Sequence, residues 1–328
     1  MKLLVTGGLG FIGSNFIIKL LTENENFQII NVDAELYGSE KRNLEKISNH
    51  KNYEFVKGNI TNKRLMEDLI SKCDAVVNFA AESFVDRSIS DANSFLVSNI
   101  RGTFTILDII TKQNKRMIQI STDEVFGSFS SGTATEDSKL NPSNPYSATK
   151  ASAELLINSY FNTFNSDVVI TRCTNNYGPR QFAEKLIPKV FILAKQNKKI
   201  PIYGSGTNIR DWIYVDDHCN GVLSTLLHGK SGESYNISGN NELSNLTIVK
   251  KILSLMNKSE DQIEFVEDRP GHDFRYSMSS NKIFKELEWK SKTNFEEGIK
   301  KTIDWYDENE DIWKNTSNDV LNSTPWKN

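Results

Sequence analysis

The sequence is poor in the features that mark secreted, membrane or nucleic-acid-binding chains. Its 328 residues hold 3 cysteines, Cys73, Cys173 and Cys219, widely spaced and without a CxxC pair. Neither a disulfide framework nor a structural zinc site fits that pattern, and a reducing cytoplasm does. There is no surplus of positive charge either, since 39 basic and 42 acidic residues leave a net charge of −3. Nucleic-acid and polybasic membrane partners therefore have no electrostatic support. No apolar run approaches the ~18 residues of a membrane span. Leu3-Leu4-Val5-Thr6, directly behind Met1-Lys2, is too short for a signal h-region and runs into glycines. A soluble, untargeted cytoplasmic protein is the expectation. His50, His218, His228 and His272 offer no metal-ligand spacing, so no metal is expected. His218 reads as a packed helix residue, and His272 lies inside the segment Arg269-Pro270-Gly271-His272-Asp273. Internal repeats and low-complexity tracts are missing too.

What is present is globular: 38% apolar, 25% charged and 10% aromatic residues. At roughly 150 residues per domain the length suggests two domains. Short apolar runs alternate with amphipathic segments in the first half, the pattern of βαβ units around a parallel sheet. Strands are expected at Lys2–Thr6, Phe27–Val32, Tyr53–Lys57, Ala75–Phe79, Met117–Ser121 and Val168–Arg172. Helices are expected at Ile12–Glu23, Lys63–Ser71, Ser94–Lys112 and Ser147–Phe164, from apolar spacing of three to four. The expected class is α/β, a Rossmann-type doubly wound parallel sheet with a smaller α+β substrate domain. Beyond about Cys173 the regularity breaks, with a late strand-like run at Glu233–Ile237.

Gly7, Gly10 and Gly13 form GxxGxxG between the first strand and the first helix. Such a turn lets the backbone approach a pyrophosphate seated on the helix N-terminus. Asp33 follows the second strand some twenty residues later, where a carboxylate accepts hydrogen bonds from an adenosine ribose and repels a 2′-phosphate. NAD is thus favoured over NADP, and Arg42 lies too far along to reverse that. Tyr37 and Asn43 fit the adenine side or plain surface-loop duty equally well.

Tyr146 and Lys150 stand at i and i+4, on one face at the start of a helix. An ammonium near a phenol lowers its pKa and lets Tyr146 take a proton from a substrate hydroxyl. Thr122, Asp123 and Glu124 follow the fifth strand, where an open parallel sheet places its chemistry. Two adjacent carboxylates there are either exposed loop residues or an acid and base beside a nicotinamide.

With the glycine turn and Asp33, the Tyr146–Lys150 pair resembles the short-chain dehydrogenase/reductase superfamily, in its extended branch acting on nucleotide sugars. Ser121-Thr122-Asp123-Glu124-Val125-Phe126-Gly127 resembles the Thr-Asp-Glu signature of the dTDP-glucose 4,6-dehydratases, where related epimerases carry small residues. The likeness extends through Ala80–Ser88, Thr171–Pro179, Glu184–Pro188, Arg210-Asp211-Trp212 and Asp268–Asp273. It implies a hydro-lyase of deoxysugar biosynthesis, the rhamnose pathway included, with NAD as cofactor, a nucleotide-sugar substrate and a homodimer built on the helices Ser94–Lys112 and Ser147–Phe164. Thr122, Asp123, Glu124, Tyr146 and Lys150 are then catalytic. The cofactor contacts that the resemblance implies are Gly7, Gly10, Phe11, Ile12, Gly13, Asp33, Asn59, Ile60, Ala80, Ala81, Ser83, Asn99, Ser121, Tyr146, Lys150, Cys173 and Asn176. The implied substrate contacts are Ser83, Thr122, Asn175, Glu184, Lys185, Leu186, Pro201, Tyr203, Arg210, Asn245, Arg269, His272 and Asp273. Residues 1–172 with 208–238 and about 300–321 would make the NAD domain, and 173–207 with 239–299 and the C-terminal tail the nucleotide-sugar domain.

The sequence departs from that family at Phe84 for a usual His, Asn59 for Asp, Phe126 for Tyr and Ala183 for Pro. Alternatives are a UDP-sugar 4,6-dehydratase, an NAD-dependent UDP-sugar epimerase or decarboxylase, and a non-catalytic NAD-binding protein. No single residue reads the base, thymine or uracil.

Overall fold

The computed structural model describes residues 1–23, 26–321 and 324–327. The first strand, β1 (Lys2–Thr6), buries Leu3 and Val5 on one face and Leu4 on the other, as a parallel strand covered by helices on both sides must. It is followed by α1 (Phe11–Glu23), β2 (Gln28–Asp33), β3 (Tyr53–Lys57), α2 (Lys63–Ser71), β4 (Ala75–Asn78), α3 (Val85–Ser90), α4 (Asn93–Phe95), α5 (Thr103–Gln113), β5 (Arg116–Thr122), α6 (Pro145–Phe164) and β6 (Val168–Cys173). The second half contains β7 (Asn175–Tyr177), α7 (Leu186–Lys195), β8 (Ile200–Tyr203), β9 (Ile209–Tyr214), α8 (Val215–His228), β10 (Ser234–Ile237), β11 (Glu242–Ser244), α9 (Asn245–Leu255), β12 (Ile263–Val266), α10 (Asn281–Leu287) and α11 (Phe295–Glu308).

A seven-stranded parallel sheet orders its strands β3-β2-β1-β4-β5-β6-β10. The order reverses between β1 and β4, and the carboxyl ends of those strands open the crevice where such sheets bind ligands. Helices α1 and α8 cover one face around Phe16, Ile17 and Val222. On the other, α2, α5 and α6 meet around Met66, Ile106 and Ile157. Two smaller sheets, β11-β9-β7 and β12-β8, sit with α7, α9 and α11 around a second core that includes Phe191, Ile252 and Tyr306.

The division of the chain differs from the sequence expectation in three places. Within 208–238, β9 pairs with β7 and β11 rather than with the large sheet. It lies at the junction, with Ile213 in the first core and Trp212 in the second. The segment expected to return to the sheet over about 300–321 instead buries Ile303, Tyr306 and Trp313 in the second core, where α11 packs along β7 and β9 and sets Tyr306 against Phe191 of α7. Conversely α10, within 239–299, sets Ile283 and Leu287 on the first core. Residues 322, 323 and 328 of the C-terminal tail lie outside the described residues.

The helix expected over Ser94–Lys112 is interrupted by a π-helical stretch at Leu96–Gly102. The wider turn brings Asn99 inward, where its amide donates to Glu82 O at 3.0 Å and Thr149 Oγ1 at 2.9 Å and accepts from Glu82 N at 2.9 Å. Such bulges recur next to functional sites.

Candidate active site

The glycine turn follows from sterics. Gly7 has φ +68°, and a Cβ there would lie 2.7 Å from the Ala80 backbone; a Cβ on Gly13 would lie 2.6 Å from Gly7 O. Side chains at these positions would push the turn away from β4 and from the start of α1. Asp33 fixes the turn from below: Oδ2 accepts from Leu9 N at 3.0 Å, and Oδ1 from Glu35 N at 2.8 Å and Ser39 Oγ at 2.9 Å. A dinucleotide fits here, with backbone N–H groups for its pyrophosphate and a carboxylate for its ribose.

Below the crevice a polar chain links three strands. Thr6 Oγ1 donates to Asn78 Oδ1 at 2.5 Å, and Asn78 Nδ2 to Gln119 Oε1 at 2.7 Å. At the end of β5 the backbone tightens into a 3-10 turn, Asp123–Phe126, capped by Thr122, whose hydroxyl accepts from Glu124 N at 3.3 Å. That turn puts Asp123 and Glu124 side by side.

Asp123 is buried; Oδ1 accepts from Thr122 Oγ1 at 3.2 Å and Oδ2 has no protein partner. Burial, then the charges of Glu124 and Asp211, hold its pKa well above the usual carboxylate range, so Asp123 is set up to carry a proton. Glu124 accepts from Asn144 Nδ2 and Tyr276 OH, both at 3.4 Å.

Tyr146 and Lys150 enter the cavity from the first turns of α6. Asn144 and Ser147 form a reciprocal capping box around Pro145, which fixes the start of the helix. Lys150 Nζ donates to Ile120 O at 2.6 Å, and burial pushes its pKa down to about 8. The expectation that Lys150 lowers the Tyr146 phenol is not what the protein alone does. Burial, then Glu124 and Cys173, raise that phenol well above its ordinary value, while hydrogen bonding with Thr122 pulls the other way.

Gly7, Gly10, Phe11, Ile12, Gly13, Asp33, Asn59, Ile60, Ala80, Ala81, Ser83, Ser121, Thr122, Asp123, Glu124, Tyr146, Lys150, Cys173, Asn175 and Asn176 line one cavity. Asn175, Glu184, Lys185, Leu186, Pro201, Tyr203, Arg210, Asn245, Arg269 and His272 line a second, and Phe84, Glu124, Asn175 and Lys185 border both. In the second, Arg269 Nη1 donates to Asp86 Oδ1 at 2.9 Å while its buried Nε has no protein partner. Arg210 Nη2 donates to Asp273 O at 2.9 Å. Guanidiniums held this way suit a diphosphate. Burial and Arg269 push His272 down to about 4.

Two expected contact residues make hydrogen bonds within the protein. The Asn99 amide bonds Glu82 and Thr149. Asp273 accepts from Tyr276 OH at 2.6 Å and from Ser143 Oγ. Sequence reasoning missed Tyr276, which hydrogen-bonds both Asp273 and Glu124 and carries the Arg210 guanidinium 4.2 Å from its ring centroid. Its signal was its place three residues after Asp273.

A glycine cradle, a ribose carboxylate and a Tyr–Lys pair on one doubly wound sheet define an NAD-dependent short-chain dehydrogenase/reductase. The chain belongs to the GDP-mannose 4,6 dehydratase family, whose model matches residues 4–302. It is 48% identical to the low-salt glycan biosynthesis protein Agl12 of Haloferax volcanii, over 93% of this chain and 98% of that one. The crystal structure of dTDP-glucose 4,6-dehydratase from Bacillus anthracis in complex with NAD is similar at 44% identity and TM-score 0.90, covering 96% of this chain and 99% of that one. The dTDP-glucose 4,6-dehydratase DesIV of Streptomyces venezuelae, with NAD bound, is similar at 40% identity and TM-score 0.94, with the same coverage. Among the described residues no helix is long and apolar enough to cross a membrane.

Proposed function

We propose that this chain is a dTDP-glucose 4,6-dehydratase, converting dTDP-glucose to dTDP-4-keto-6-deoxy-glucose and water. The observation that carries the reading is the adjacent pair Asp123 and Glu124 in one cavity with Tyr146 and Lys150. An epimerase only removes and returns a hydride, whereas loss of water needs an added acid and base.

When bound, NAD supplies the hydride acceptor for C4 of the sugar, the hydride returned to C6, and a positive charge beside Tyr146. Tyr146 takes the C4 hydroxyl proton at its phenol oxygen, with Thr122 hydrogen-bonding to it. Lys150 contributes a positive charge, held in place by Ile120 O. The C4 ketone acidifies the C5 proton, which Glu124 removes and gives back to C5 once C6 has received its hydride. Asp123, kept protonated by burial and by Glu124, donates to the departing C6 hydroxyl. Arg210, Arg269 and Lys185 neutralise the diphosphate.

The test is one assay offering dTDP-glucose, UDP-glucose and UDP-N-acetylglucosamine side by side, read by the alkaline absorbance of the 4-keto product. The expected result is the highest kcat/KM with dTDP-glucose. A C4 epimer formed without loss of water overturns the reading, and a preference for a UDP-sugar moves it to the alternative dehydratase.

A homodimer and a cytoplasmic site belong to the same proposal. Leu96, Val97 and Phe104 beside Leu155 and Phe164 expose apolar side chains on the two helical segments expected to pair, an arrangement that a second copy would cover. Sedimentation at micromolar concentration should give twice the chain mass, and Leu155→Glu should shift it toward the monomer. Free, buried Cys73, Cys173 and Cys219 are at home in a reducing compartment.

A further inference from the structure

Three loops meet over the mouth of the cofactor cavity, each contributing one aromatic ring. Tyr37 comes from the loop after β2, Phe84 from the N-cap of α3, and Phe182 from the segment between β7 and α7. Their centroids lie 5.0 Å (Tyr37–Phe84), 5.1 Å (Tyr37–Phe182) and 5.6 Å (Phe84–Phe182) apart, all edge to face. That is the preferred geometry of aromatic contacts. The three rings line the same cavity as Gly7, Gly13 and Asp33.

Tyr37 is 38% exposed, yet it is held from several sides. The Arg87 guanidinium lies 3.7 Å from its ring centroid, and its hydroxyl donates to Glu184, which also accepts from Arg87 Nε at 3.1 Å. Burial and Glu184 together raise the phenol's pKa, so it remains a donor. Gly38, at φ +86°, brings the loop so close that a Cβ would lie 2.9 Å from the Phe84 ring. Lys185 Nζ, donating to Ser83 O at 2.7 Å, lies 4.5 Å from the other ring of the set, Phe84. An ordinary surface-loop tyrosine has no need of so many restraints.

We propose that Tyr37 is a cofactor-retention residue, the outer member of an aromatic clasp with Phe84 and Phe182 that slows release of NAD. This rests on the assignment of NAD to the cavity. The clasp spans the cleft: Tyr37 and Phe84 belong to the sheet's loops, whereas Phe182 and Glu184 lead into the second core. NAD then leaves only when the segment carrying Phe182 and Glu184 moves away from Tyr37. An enzyme that returns the electrons it removes gains nothing from exchanging its cofactor between the two half-reactions.

The experiment loads the full-length wild type, Tyr37→Ala, Tyr37→Phe and Phe84→His with NAD, removes free NAD by rapid desalting, and follows the NAD left on the protein over time. Tyr37→Ala should release NAD about tenfold faster, an effect of about 1.4 kcal/mol, and activity lost on dilution should return when NAD is added. Tyr37→Phe, which keeps the ring and loses the bond to Glu184, should fall between the two. If Tyr37→Ala fails to fold, Phe84→His and Tyr37→Phe carry the test, because both keep a ring in place. Wild type that holds NAD while the folded variants release it at the wild-type rate overturns the clasp alone. Wild type that takes up no NAD overturns the cofactor assignment with it.

Discussion

Replacing Asp123 by Asn and Glu124 by Gln together is expected to cut formation of the 4-keto-6-deoxy product by about a thousandfold, while oxidation at C4 persists. General acid and base groups contribute on the order of 10²–10⁴ each, and groups serving one step do not add. The amides keep the shape of the 3-10 turn and its cap at Thr122, so the loss is chemical rather than structural. The measurement mixes substrate with NAD-loaded enzyme and follows both reduced nicotinamide and the 6-deoxy product. Accumulation of reduced cofactor with little product is the expected result. Product at the wild-type rate removes Asp123 and Glu124 from the reaction.

Tyr146→Phe should differ in the cofactor signal. Without the phenol oxygen the C4 proton loses its proposed acceptor, so reduced nicotinamide and product should both fall, by about 10²–10³. NAD uptake should be spared, since the ring keeps its packing against Phe95, at 6.3 Å between centroids, and its backbone N keeps the bond to Ser88 at 3.2 Å. A variant that still reduces its cofactor at the wild-type rate would transfer the proton step elsewhere. The wild-type rate should also decline on the alkaline side. Lys150, pushed down to about 8, loses the positive charge it brings to the cavity as pH rises through that value.

The glycine turn, Asp33, the carboxylate pair and the Tyr–Lys pair were legible because each depends on local spacing. So were the first six strands, whose apolar runs and flanking turns lie close together in sequence. Periodicity could not show the π-helical stretch at Leu96–Gly102, since Asn99 turns inward to meet Glu82 and Thr149, partners distant along the chain. The same holds for α11: its stripe of apolar residues is plain, but which core it covers is decided by β7 and β9, distant along the chain. Tyr276 was hidden, and Tyr37 stayed undecided between the adenine side and surface-loop duty, for a related reason. Each acts through partners brought together by the fold, Asp273 and Glu124 in one case, Phe84, Phe182 and Glu184 in the other.

The route of the chain between the two cores bears on how the cleft can move. It leaves the first core after β6, returns with α8 and β10, leaves through β11 and α9, returns again with α10 and ends in the second core with α11. Bodies joined by one linker can swing open like a book. Bodies laced together by several strands of chain can move only if every crossing absorbs part of the displacement. Opening of the cleft therefore has to be taken up at several crossings of the chain at once, rather than at one hinge residue.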